Sequence, residues 1–187
     1  MKQKTLKTAL FGVLAALAVT LSYLESLLPT AAFLPPGAKP GFSNVVNMFS
    51  AGALGFLPAV CIALLKALFA GLTRGVTAFF MSLSGGLLST VGMYILFHKA
   101  KKIGYIGIGV ICAVLHNVGQ LIVATVLVGN RSVLGYLPVL LLSAIVAGFL
   151  TGSVLKGVMP ALLKLLPNLS RADGKTNKNK QQKEEGR

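Results

Sequence analysis

Apolar residues run along this chain in long blocks, separated by short clusters of glycine, proline and basic residues. Five blocks, at 6–28, 57–72, 78–97, 104–128 and 134–155, come close to or exceed the ~20 residues that an α-helix needs to cross a bilayer core. A sixth stretch, 42–56, is shorter and holds Ser43, Asn44, Asn47 and Ser50. The pattern predicts an all-α membrane protein. The first block is longer than the apolar core of a signal peptide and lacks an A-x-A cleavage site, so it is expected to remain as a membrane helix.

Charge decides how to count the blocks. If 42–56 does not cross, the loop carrying Lys99, Lys101 and Lys102 falls outside, against the tendency of basic residues to stay in the cytoplasm. If it does cross, both termini and that loop are cytoplasmic, and the outer loops hold only Lys39, Arg74 and Arg131. Six transmembrane helices are therefore expected, the second short and polar. A re-entrant or interfacial segment at 42–56 is the alternative. Polar groups at membrane depth are tolerated where protein or a water-filled cavity covers them, so Asn44 and Asn47 are expected to face inward.

The expected division is a transmembrane domain over 1–166 and a disordered, basic cytoplasmic tail over 167–187. The net charge of +14 comes from chain ends and loops more than from a patch, which argues for membrane lipids and against nucleic acid as its partner.

Against this background a few polar residues stand out. Glu25 is the one carboxylate before residue 173. Lys66 lies in the middle of an apolar block, and LHNVGQ places His116, Asn117 and Gln120 inside another. His116 and Gln120 are four residues apart and share a helix face, with Asn117 about 100° round from His116. Such groups line a cavity or bond neighbouring helices together; three on one sector favour a cavity. Lys66 either pairs with Glu25 or adds positive charge to a pocket, which would suit an anionic or carbonyl-rich ligand. The PPGAKPG loop is either a lid or a connector.

Small residues recur at a period of four at Thr8, Gly12, Ala16 and Thr20, and again at Ala144, Gly148 and Gly152, as in closely packed membrane helices. SLSGGLLS, which includes Ser84, is no phosphate loop, for it lacks the GK[ST] ending. Cys61 and Cys112 form no CxxC pair. No metal site or cofactor is expected, and prenyl-transfer chemistry, which needs clustered aspartates around Mg²⁺, has no residues to carry it.

PGAKPGFSNVVNMF, FFMSLSGGLLS and GVICAVLHNVGQLIVA, in that order, resemble the bacterial family called heptaprenyl diphosphate synthase component I, also labelled the Gx transporter family. More loosely, the chain is similar to substrate-binding S components of energy-coupling factor transporters. That likeness implies an S-component-like bundle that captures a small molecule, working with a transmembrane coupling subunit and ATPases. Gly12 and Ala16 would then lie on the coupling face. The expected ligand contacts are Lys39, Asn44, Asn47, Lys66, Ser84, His116, Asn117 and Gln120. The family label implies a rival role, as an accessory subunit in heptaprenyl diphosphate or menaquinone metabolism or in quinone-linked electron transfer.

Overall fold

The structure, a computed structural model, describes residues 2–27, 41, 43–99 and 103–165. Lys39 and the tail expected over 167–187 lie outside them. Among the described residues the secondary structure is entirely helical: α1 (Lys2–Leu27), α2 (Asn44–Ala53), α3 (Phe56–Arg74), α4 (Val76–Lys99), α5 (Tyr105–Val128) and α6 (Leu137–Leu165), with a 3₁₀ turn at Arg131–Tyr136 before α6. Five of these helices are long and apolar enough to cross a membrane. The chain is thus a multi-pass, all-α membrane protein by length and composition.

The exception is α2. Its 10 residues reach about 15 Å, half the ~30 Å of a hydrocarbon core. Eight of the ten are buried, so α2 is an inner element and not an interfacial one. Before it, Gly41 sits against His116 of α5, and within it Gly52 sits against Phe97 of α4 and Met159 of α6. Its polar side chains survive at this depth because α1, α3, α4, α5 and α6 all pack around it.

Two apolar clusters mark the ends of the bundle. One gathers Leu14, Met48, Phe49, Met93, Cys112, Leu155 and Met159, with Phe97 and Tyr105 against it. It joins the early part of α1 to the late parts of α4 and α6. The other, built on Met81, Leu121, Ala124 and Leu140, ties the start of α4 and the end of α5 to the start of α6.

Backbone contact holds α4 to α5 and α5 to α6. A Cβ on Gly109 would lie 2.4 Å from the Gly148 carbonyl oxygen, and one on Gly152 would lie 2.6 Å from Ile106 Cα. The α6 stripe expected from its period thus presses directly on α5. The α1 stripe does not behave this way: Thr8, Gly12, Ala16 and Thr20 are exposed, and Gly12 has nothing near it. One residue, Gly75, makes the α3–α4 turn at φ 92°, a backbone conformation that side chains disfavour.

Candidate functional site

A polar chamber lies at the level of the second cluster, where Ser82 and Gln120 adjoin Met81 and Leu121. It is lined by Ser22 and Glu25 of α1, Gly41 and Ser43 before α2, Lys66 and Arg74 of α3, Ser82 of α4, and His116 and Gln120 of α5. The chamber is small and partly open on one side.

Two glycines of SLSGGLLS explain how His116 reaches this position. A Cβ on Gly85 would stand 2.7 Å from the His116 carbonyl oxygen and 2.8 Å from its Nδ1. A Cβ on Gly119 would stand 2.9 Å from Gly85 Cα. α4 and α5 therefore cross with backbone against backbone, and the imidazole lies over the gap. Gly86, one residue on, faces Ala63 of α3. The tandem glycines let α4 fit closely between two neighbours.

The helical spacing in LHNVGQ does pair His116 with Gln120: the amide Nε2 lies 2.6 Å from the ring Nε2. As placed, the amide donates and the ring Nε2 accepts, while the ring Nδ1 lies on the side of Gly85.

Glu25, 6% exposed, organises the opposite wall. Its carboxylate accepts from the Gly41 backbone N–H and from Ser43 Oγ at 3.0 Å. Gly41 has φ 85°, and a Cβ there would crowd Asn44 and His116, which accounts for glycine at this place in the loop. Arg74 lies within electrostatic reach of Glu25. Lys66, 4% exposed, donates from Nζ to Asn44 Oδ1 at 2.8 Å, linking α3 to the first residue of α2.

The expected contacts thus divide. Lys66, His116 and Gln120 line the chamber, and Asn44 stands behind Lys66. Asn47 donates to Thr90 Oγ1 at 3.3 Å, further along α2. Ser84 donates to the Gly119 carbonyl at 2.9 Å and so clips α4 to α5. Asn117 turns to α6, donating to the Leu140 carbonyl at 2.8 Å and to Ser143 Oγ at 3.3 Å. Ser22, Ser43 and Ser82 were not anticipated as members; serines are common in membrane helices and carry no positional signal alone. Glu25 and Arg74 were conspicuous in the sequence, but their place on the chamber wall depends on the way α1 and α3 pack.

The chamber presents Lys66, Arg74 and Glu25 together with hydroxyls and an amide–imidazole pair. Among the described residues no group of three or more His, Cys, Asp or Glu residues could hold a metal ion. A family model described as heptaprenyl diphosphate synthase component I matches residues 14–158. No curated protein and no solved structure matches the chain.

Proposed function

The chain belongs to the heptaprenyl diphosphate synthase component I family, and from that premise we propose that it is a non-catalytic, substrate-binding membrane protein for a small polar molecule. The observation that carries this reading is the buried chamber where Lys66, His116 and Gln120 face Glu25 inside an apolar bundle. Polar and ionisable groups at such depth are costly and are retained where they serve a ligand or a path. The single carboxylate before residue 173 speaks against the diphosphate–Mg²⁺ chemistry of a prenyl synthase.

In this reading the protein sits in the cell membrane, and 42–56 completes a sixth crossing with the short α2. Both termini and the Lys99–Lys102 loop are cytoplasmic, as the basic residues favour. Transport would follow the S-component pattern: a transmembrane coupling subunit and ATPases supply the work, and the α1 face with Gly12 and Ala16 meets the coupling subunit. The exposure of that small-residue stripe supports the assignment. Lys39 would close over the ligand from the loop before α2.

Native mass spectrometry of the gently extracted protein tests the reading. A bound small molecule is expected, and it should be lost from the His116→Ala/Gln120→Ala variant. Retention by that variant would remove the chamber from consideration. The family's description supports a second reading, an accessory subunit that holds a prenyl-lipid or quinone intermediate. Co-extraction of a prenyltransferase in place of ATPases would favour it.

A further inference from the structure

We infer that the end of the bundle away from the chamber holds an anionic phospholipid, its phosphate at His98 and Lys99 of α4 and its chains against the exposed apolar residues beside them. This rests neither on the chamber nor on which side of the membrane that end faces.

Charge divides the bundle along its length. The cluster of Leu14, Met93, Leu155 and Met159 brings the early part of α1 together with the late parts of α4 and α6. Basic residues of these segments therefore gather at one end: Lys7 of α1, His98 and Lys99 in the last turn of α4, and Lys156 and Lys164 of α6, all of them exposed. α3 and α5 start at the same end, with Phe56 against Tyr94 and Tyr105 against Phe97. No acidic residue stands in the first turn of α1, α3 or α5. Glu25, the one carboxylate side chain before Asp173, is about 27 Å along α1 from Lys7. Among the described residues this end is basic throughout.

The α3–α4 corner adds an aromatic ladder to the charge. The Phe56 ring lies 5.2 Å from that of Tyr94, and the Tyr94 ring 4.2 Å from that of His98. His98 Nδ1 lies 2.9 Å from the Tyr94 carbonyl, so the imidazole is held over the tyrosine with Lys99 next in the chain. Beside them Leu57 is 73% exposed and Ile95 46% exposed. A tyrosine, apolar in its ring and polar at its hydroxyl, suits the boundary between acyl chains and headgroups. Basic side chains at that level attract anionic headgroups, and salt weakens the attraction. Phosphatidylcholine carries its own cation and gains little from them. Free phosphate meets the charge but not the apolar surface.

The test uses the full chain, delipidated in mild detergent at low salt. Phosphatidylglycerol, phosphatidylcholine and inorganic phosphate are added in separate arms; thermal unfolding and native mass spectrometry read each. Phosphatidylglycerol is expected to raise the melting temperature saturably by several degrees and to be retained several-fold more than phosphatidylcholine, with no rise from phosphate. His98→Gln/Lys99→Gln, at exposed positions, should lose most of that rise and retention, while Arg131→Gln, before α6 at the opposite end, keeps both. The mass spectra count bound lipid even if the double variant melts lower by itself. Equal effects of the two lipids would overturn the inference, as would a rise from phosphate alone, full retention by the double variant, or loss in Arg131→Gln. Basic residues that only orient the chain in the membrane would give the first of these results.

Discussion

Gly85 of α4 and His116 of α5 occupy a single space: the glycine has no side chain where the imidazole and its own carbonyl lie, 2.7–2.8 Å from the position of a Cβ. The pairing joins the close α4–α5 crossing to the chamber, because the contact that brings the two backbones together also aims His116 inward. Gly85→Ala must push against a backbone oxygen, which yields little. A destabilisation of about 1–3 kcal/mol is expected, read as a lower melting temperature, together with weakened ligand retention. Gly12→Ala, with nothing within 4 Å, is the neutral control.

Glu25→Ala leaves the Gly41 N–H and the Ser43 hydroxyl without their acceptor inside the bundle. The loss is expected to be about 1–3 kcal/mol for the stranded donors, and larger if Arg74 stays charged beside the gap. Glu25→Gln keeps one carbonyl oxygen for Gly41 and should cost less. Chemical denaturation in mild detergent compares the two; equal losses would mean that the carboxylate does not hold the head of α2.

Asn117 and His116 are neighbours in sequence with separate tasks. Asn117→Ala removes an α5–α6 hydrogen bond, an effect of about 1 kcal/mol, and should leave the bound molecule in place. His116→Ala should release it. Ligand retention in native mass spectra, read beside melting temperature, separates the two effects.

The α1 stripe makes a prediction about assembly. Gly12→Leu adds bulk to an exposed face and is expected to leave the melting temperature of the isolated protein within about 0.5 kcal/mol of wild type. Co-purification with partner membrane subunits should fall. Undiminished co-purification would take the coupling role away from this face.

Periodicity and hydropathy made most of this fold readable. Five of the long helices follow from apolar blocks, and the i, i+4 spacing of His116 and Gln120 is realised as a side-chain hydrogen bond. The same reasoning grouped Asn117 with them, although 100° of helix rotation is enough to turn it towards α6. Ser84 shows a related limit: a hydroxyl that clips two helices and one that faces a ligand look alike in a sequence. The short α2 was visible as an anomaly, but whether it is inner or interfacial depends on the neighbours that cover it. The glycines carried a clearer message than expected, since Gly85 and Gly119 mark a crossing that no hydropathy plot registers.

The two kinds of helix contact imply an unequal division of stiffness. α4 meets α5, and α5 meets α6, through glycines that leave backbone on backbone, so parting them means separating whole surfaces. α1 meets α2 and α3 through side chains, among them Glu25 with Ser43 and the Tyr23–Phe69 ring contact at 6.1 Å. The bundle is thus a rigid frame with one detachable stave. Glu25, through the Gly41 N–H and Ser43 Oγ, is one of the ties that hold that stave to the head of α2.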